Sequence, residues 1–105
     1  MIAPGDLRER LVLEAPAETP DGAGGVIRSF TAVATLWAFL APLSSRGEIV
    51  ADAQGATATH RIVVRMRSGV TTRHRLRLGS RVFRILALRE LPRRYLEITA
   101  EERID

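Results

Sequence analysis

A strict alternation of apolar and charged side chains in the second half of the chain is the strongest constraint on its fold. Residues 59–67 place histidine and apolar side chains on one parity, and the other parity is mostly arginine. Residues 73–78 repeat this pattern after Ser68-Gly69, which is a turn signal. Because successive side chains of a β-strand point to opposite faces, the pattern predicts two strands with one face in a core.

The remaining segments also have the composition of strands joined by tight turns. Apolar, aromatic and β-branched residues dominate residues 26–30, 33–43, 81–91 and 95–100. Residues 8–15 also predict a strand, because Leu11 and Leu13 fall on one face. We expect Pro16 and Pro20 to interrupt strand pairing. The near-continuous hydrophobicity of residues 33–40 predicts a central strand buried on both faces. Which side chains of residues 81–91 face the core stays open, because both parities of that segment are apolar.

One short helix is predicted between the strands, over residues 45–54. Ser45 and Glu48 have the spacing of a capping box, and Gly55 is a natural stop. Six or seven short strands with one inserted helix predict an all-β fold, a small antiparallel β-barrel or sandwich. We expect a single domain over residues 1–105, in which residues 44–57 form the inserted helix or loop.

All 16 basic residues are arginine, and they are distributed unevenly. Eleven of them lie between residues 58 and 94, where Glu90 is the only acid. Since a guanidinium keeps its proton at any ordinary pH, this segment predicts a positive surface that meets a negatively charged partner. A nucleic acid and an acidic protein surface both fit. A genome rich in G and C would explain the absence of lysine, but it would not explain the clustering.

Arginines on the outward parity of the two alternating segments are the strongest candidates for an interaction surface. They are Arg61, Arg65, Arg67, Arg73, Arg75 and Arg77. We expect the two segments to form a hairpin, so that these side chains line one solvent face. A solvated face that blocks aggregation is the structural alternative, but like charges opposite one another destabilise a sheet, and no acid is interleaved. None of the five aromatic residues lies on these segments, so base stacking is not supported. Contact with phosphates or with an acidic protein stays open.

The sequence offers no recognised catalytic or metal-binding motif. There is no cysteine, which excludes disulfides and thiolate chemistry. His60 and His74 share the parity of apolar neighbours and have no metal-ligand spacing, so we expect core or rim positions. The glycine-rich residues 21–25 lack the lysine and the following helix of a phosphate-binding loop, and they predict a hairpin loop. We therefore expect no enzyme activity, no cofactor and no metal.

Several segments resemble a known family in their order and spacing. They are Gly5-Asp6-Leu7-Arg8-Glu9-Arg10, Asp21-Gly22-Ala23-Gly24-Gly25, Val33-Ala34-Thr35-Leu36-Trp37-Ala38, Pro42-Leu43-Ser44, Thr59-His60-Arg61-Ile62-Val63-Val64-Arg65 and Arg81-Val82-Phe83-Arg84-Ile85-Leu86. Together they resemble the phage head–tail joining family, the head completion, adaptor or stopper proteins of tailed phages and gene transfer agents. The resemblance covers nearly the whole chain. The sequence departs from the family pattern at two places. Phe30 stands where the family often has tryptophan, and the end of the chain after Tyr95 is acidic.

The resemblance implies a small β-barrel that assembles as a ring beneath the portal of a filled head. Such a ring lies between a portal or adaptor ring and a tail terminator or tail-completion protein, and it closes or continues the DNA channel. Family barrels carry an extended loop or helix at the place of residues 44–57, where we expect Glu48, Ile49 and Val50 to contact neighbouring subunits. Hexameric or dodecameric stoichiometry, an adaptor or stopper role, and a phage, prophage or gene-transfer-agent origin stay open. An arginine-rich, OB-like nucleic-acid-binding barrel is the alternative function.

The start of the chain lacks the basic-then-apolar order of a signal peptide, and no apolar run reaches the about 20 residues of a membrane span. We expect synthesis in the bacterial cytoplasm, no membrane partner, and a final place in the neck of a virion or phage-like particle.

Overall fold

The computed structural model describes residues 2–43 and 57–103. A 3-10 helix at Pro4–Asp6 precedes six strands. These are β1 (Glu9–Pro20), β2 (Val26–Pro42), β3 (His60–Arg65), β4 (Arg75–Leu78), β5 (Arg81–Leu91) and β6 (Tyr95–Arg103). They form a closed barrel in the order β1-β2-β3-β6-β5-β4, in which every neighbouring pair is antiparallel. The predicted all-β antiparallel fold is confirmed, whereas the helix predicted over residues 45–54 lies outside the described residues. Within the described ranges, no helix has the length and apolar character needed to cross a membrane.

Inward side chains from all six strands fill the barrel. The core consists of Leu11, Leu13, Ala38, Ile62, Val64, Leu76, Phe83, Ile85, Leu96, Ile98 and Ala100. Each large apolar side chain that is fully buried contributes about 1.5–3 kcal/mol relative to an exposed one. The members from β3 and β4 are those of the apolar parity that the alternation predicts to face inward.

A bulge in β5 determines which of its side chains face the core. Ile85 is buried in the core, and the pairing of β5 with β6 shifts register immediately after it. Because a bulge inserts one extra residue, the parity of inward side chains changes at this point, and Leu88 packs against the core beyond it. Leu86, at the bulge, packs instead with Ala58 and Leu43. Apolar side chains of both parities of β5 are therefore packed against other parts of the barrel.

The N-terminal segment covers an apolar patch on the outside of the barrel. Leu7 packs with Val63 and Tyr95, and all three are buried. The 3-10 helix fixes the segment locally, because the Asp6 carboxylate accepts a hydrogen bond of 2.9 Å from the backbone N–H of Ala3. This second cluster explains why Val63 is apolar on a parity that otherwise carries arginine.

Strands β1 and β2 continue beyond the barrel as a two-stranded arm. β1 pairs with β4 only over residues 12–14, and β2 pairs with β3 only over residues 38–42. Beyond these points the two strands pair with each other as far as Pro20 and Val26. We call residues 15–31 the arm. At about 3.3 Å per residue, the six residues of β1 in the arm span about 20 Å.

Two expectations about β1 and β2 are wrong. Pro16 and Pro20 do not interrupt pairing, because β1 remains paired with β2 through both of them. In the arm β1 has a neighbour on one side only, which is the setting where a strand tolerates proline. β2 is not buried on both faces, since Val33 is 49% exposed and Trp37 is 56% exposed. The strand lies between β1 and β3, but its outer face meets solvent.

The predicted glycine-rich hairpin loop closes the arm. Asp21 Oδ1 accepts hydrogen bonds from the backbone N–H groups of Ala23 (2.7 Å) and Gly25 (3.0 Å). These two bonds lower the pKa of Asp21. Gly22 and Gly24 have φ angles of 82° and 85°, which glycine adopts without steric cost. The loop thus has a defined shape.

Candidate interaction surfaces

The six arginines predicted to share one face lie on opposite sides of the barrel. β3 lies between β2 and β6, whereas β4 lies between β5 and β1, so the two strands are three steps apart in a closed ring of six. The expected hairpin is wrong, because residues 66–74 cross the end of the barrel instead of pairing β3 with β4. Glu48, Ile49 and Val50 lie outside the described residues, and their role in subunit contacts stays a prediction.

A buried carboxylate holds two of these arginines against the barrel. Glu14 is 6% exposed, and its two oxygens accept hydrogen bonds from the Nε atoms of Arg75 (2.7 Å) and Arg77 (3.0 Å). Burial alone would raise the pKa of Glu14, but the two guanidinium groups more than offset this and hold the pKa below its usual value. β1 thus supplies the acid that the sequence around β4 lacks.

Arg61 also has a partner within its own chain. Its Nε donates a hydrogen bond to Oε2 of Glu97, and Arg89 Nη2 lies 3.0 Å from the other carboxylate oxygen. Glu97 belongs to β6 and sits opposite residues of both β3 and β5. Arg61 therefore joins Arg75 and Arg77 as an arginine that contributes to the barrel as well as to its surface charge.

A third ion pair lies at the opposite end of the barrel from the arm. Glu102 accepts two hydrogen bonds from Arg81 (2.8 and 3.0 Å), which lower the pKa of Glu102. Its carboxylate also lies 3.8 Å from Nε2 of His60. His60 packs edge-on against Phe83 at 5.2 Å between ring centroids, and its burial lowers the pKa of the imidazole despite the nearby carboxylate. Within residues 2–43 and 57–103, no three potential metal ligands come together.

Arg65 and Arg67 lie with two further arginines at the end of the barrel from which the arm projects. The backbone N–H of Met66 donates a hydrogen bond of 2.8 Å to the carbonyl oxygen of Arg94, which joins the end of β3 to the β5–β6 turn. Arg93 and Arg94 form that turn with φ angles of 67° and 64°. We call Arg65, Arg67, Arg93 and Arg94 the arginine rim. Among the described residues, no carboxylate lies within ion-pair distance of these four.

A basic groove of about 280 Å³ follows the junction between the arm and the outer face of β4, β5 and β6. It is lined by Phe30, Thr72, Arg73, His74, Arg75, Val82, Arg84 and Arg103. The guanidinium of Arg75 covers the ring of Phe30, while Arg73 and Arg84 have no ion-pair partner within the described part of the chain. The local sequence pattern gives no sign of an aromatic residue beside these arginines. Phe30 comes to lie there because strand order places β1 next to β4 and the arm brings Phe30 of β2 against Arg75.

Large hydrophobic side chains remain exposed along β2. In the described part of the chain they are Val26, Ile27, Phe30, Val33 and Trp37, each between 39% and 58% exposed. An apolar groove of about 260 Å³ is lined by Ile2, Arg61, Leu91, Pro92, Arg93 and Tyr95. These residues belong to the N-terminal segment, to β3 and to the connected ends of β5 and β6. The molecule therefore presents an apolar arm and, separate from it, an apolar groove.

The chain matches known proteins over nearly its whole length. Among solved structures, a chain from the virion of a native gene transfer agent particle is 33% identical with a TM-score of 0.67, and the match covers 94% of this chain and 97% of that chain. The solution structure of a protein from Shigella flexneri 2a is 30% identical with a TM-score of 0.74, and 96% of each chain is covered. Among curated proteins, none matches. A family model described as phage head completion protein matches residues 2–103. On this match, which spans every described strand, the chain belongs to the phage head completion protein family.

Proposed function

We propose that this protein is a structural subunit of the neck of a phage or gene-transfer-agent particle, where copies of it form a ring between the head and the tail. The observation that carries the proposal is the end-to-end match to a virion chain of a gene transfer agent particle, at 33% identity. Membership of the head completion family supports the same role. In this role the ring lies between a portal or adaptor ring and a tail-completion protein, and it continues or closes the channel for DNA.

The chemistry of the barrel suits a structural role better than a catalytic one. The acids Glu14, Glu97 and Glu102 are engaged in ion pairs with arginines of neighbouring strands. His60 is packed against the core. These contacts join neighbouring strands of the barrel, and they leave the arm, the arginine rim and the basic groove available for contacts with other particle proteins.

Deletion of the gene tests the proposal. A head completion subunit acts after DNA packaging, so the deletion should leave filled heads and separate tails, and expression of the wild-type chain in trans should restore joined particles. Electron microscopy with infectivity or gene-transfer counts would measure both. Normal numbers of joined particles in the deletion strain would refute the proposed function.

A nucleic-acid-binding barrel is the second candidate function. The observation that favours it is the set of arginines without an ion-pair partner among the described residues, in particular the arginine rim and Arg73 with Arg84. Phosphate contact by such residues gives binding that is independent of sequence and falls steeply with salt. Phe30 argues against base stacking in the groove, because Arg75 already covers one face of its ring.

A further inference from the structure

The tip of the arm carries two exposed apolar side chains. Val26 is 50% exposed and Ile27 is 58% exposed, although both belong to a strand that pairs with β1. Side chains next to each other on a strand point to opposite faces, so these two give the tip an apolar surface on both sides. Since both side chains are about half exposed, neither face of the arm is covered at this point by the described part of the chain. The outer edges of the arm are also unpaired here, because β3 and β4 pair only with the parts of β2 and β1 inside the barrel.

The apolar groove has the chemistry to receive such a tip. Leu91, Pro92 and Tyr95 provide an apolar floor, and Ile2 adds a wall from the N-terminal segment. Arg93 stands at its edge with no ion-pair partner in the described part of the chain. The groove is therefore apolar at its centre and positive at its rim.

The arm complements this charge pattern. Glu18 lies two residues before the end of β1, and Asp21 opens the loop that closes the arm. Both carboxylates flank the apolar tip, and Arg93 flanks the apolar groove. A tip inserted in a groove would bring the acids toward Arg93, whereas Arg61 is already paired with Glu97 of its own chain.

The arm of a subunit lies toward β4, and its own groove lies on another part of the barrel. Phe30 of the arm packs against Arg75 of β4, whereas the groove is lined by Arg61 of β3 and by the ends of β5 and β6. In the closed barrel β3 is opposite β4. Both features belong to the same end of the barrel, because β5 ends and β6 begins where β3 ends and the arm leaves. Two different patches of one molecule make a heterologous contact, which closes into a ring when the rotation between copies allows it.

We propose that the tip of the arm, Val26 and Ile27, seats in the apolar groove of the neighbouring copy of this chain, and that this contact joins successive subunits of the ring. The inference rests on the proposed function, since it names the contact by which that ring is held together. The arm reaches about 20 Å from the barrel, and the two shorter dimensions of the molecule are 29 and 24 Å. It is thus long enough to reach across an interface to the flank of a neighbour.

Cysteine cross-linking tests the contact directly, because the natural chain contains no cysteine. A chain with both Ile27→Cys and Leu91→Cys would be built into particles under reducing conditions, oxidised, and analysed on a denaturing gel without reductant. We expect a ladder of covalent oligomers that ends at the size of the ring. Each single variant should give no ladder, and the pair Ile27→Cys with Arg84→Cys, which moves the second cysteine to the basic groove, should give none either.

Charge placed at the tip provides a second readout that does not depend on disulfide geometry. Ile27→Asp should reduce the number of joined particles at least tenfold while the melting temperature of the free protein changes little, because the side chain is exposed in the free barrel. Thr35→Asp adds the same charge at an exposed position of β2 outside the arm. Particles built with this variant should join heads to tails in normal numbers.

The outcomes separate the two proposals. If joining requires the wild-type gene, but the double-cysteine chain joins heads to tails without forming a ladder, or Ile27→Asp joins normally, the arm contact is wrong and the connector role stands. If the gene is dispensable for joining, the connector role itself fails. A ladder formed by the Ile27→Cys and Arg84→Cys pair, and not by the groove pair, would place the arm in the basic groove and overturn the inference.

Discussion

The guanidinium carbon of Arg75 lies 3.9 Å from the centroid of the Phe30 ring. Phe30 belongs to the arm and Arg75 to β4, and the same arginine donates a hydrogen bond to Glu14 of β1. Three strands therefore meet at the base of the arm, where a cation–π contact and a buried carboxylate share one guanidinium. This junction fixes the direction in which the arm leaves the barrel.

Phe30→Ala should loosen the arm without unfolding the barrel. A cation–π contact at a partly exposed site contributes about 0.5–1 kcal/mol, which corresponds to about a two- to fivefold faster local opening. Hydrogen exchange should accelerate by that factor across residues 26–31 and stay unchanged in β3 and β6. Val33→Ala, which removes an exposed side chain of β2 with no arginine stacked on it, is the control. Equal exchange in the arms of Phe30→Ala and the wild type would contradict this role of the junction.

Glu14→Gln should destabilise the barrel, because it leaves two guanidinium groups without their carboxylate. Removing one partner of a partly buried charged hydrogen bond costs about 1–3 kcal/mol, and urea unfolding would measure the loss. Glu18→Gln neutralises an exposed acid on the same strand and should change stability by less than about 0.5 kcal/mol. If Glu14→Gln unfolded at the same urea concentration as the wild-type protein, the ion pair would contribute no more to stability than a surface contact.

The strands were predictable because their signal is local. Apolar and charged residues alternate along β3 and β4, and this pattern alone determines which side chains of each strand face the core. The prolines and the hydrophobic run led to wrong predictions at β1 and β2, because a local rule shows neither that β1 leaves the barrel nor that the outer face of β2 meets solvent. Pro16 is exposed in the arm, where β1 has a neighbour on one side only. Trp37 lies within the barrel, and its side chain is exposed on the outer face although its neighbours in sequence are apolar.

The interaction surfaces were less predictable, because they depend on which strands become neighbours. Glu14 is separated from Arg75 by 61 residues in sequence, and nothing in the alternation of β4 indicates that β1 lies beside it. The six arginines share a sequence pattern, but they lie on different sides of the barrel. Arg93 and Arg94 lie outside the alternating segments, yet the turn that they form is hydrogen-bonded to the end of β3 and completes the arginine rim.

The stability of the protein should fall in two steps as the solution is acidified. Burial lowers the pKa of His60 in the folded state, so the unfolded chain binds this proton at a higher pH, and stability decreases as pH falls below about 6.5. The pKa values of Glu14 and Glu102 are also lowered, so their contribution is complete above about 4.3 and is lost as pH falls through their folded-state values. Urea unfolding across this range would record both steps. His60→Gln should remove the first and keep the second, and a flat wild-type profile between about pH 7.5 and 5.5 would contradict the assignment.

Charge reversal of the arginine rim should separate protein contact from DNA contact. We expect Arg65→Glu with Arg67→Glu to abolish head–tail joining while the barrel stays folded. The wild-type protein should bind duplex DNA only weakly, with an affinity whose logarithm falls by about 0.9 per neutralised phosphate for each unit of log salt. The control is Arg8→Glu with Arg10→Glu, which makes the same change in charge outside the rim. Particles that carry this control should join heads to tails normally. Nanomolar DNA binding at physiological salt that the rim reversal removes, with joining unaffected, would favour the nucleic-acid-binding function instead.

Electron cryo-microscopy of the neck in joined particles would show the proposed ring itself. We expect a ring of these barrels between the portal and the tail, with the arm of each subunit seated on the Leu91–Pro92 flank of the next. A neck in which the density between portal and tail is filled by other proteins, and in which no barrel of this strand order is present, would contradict this expectation.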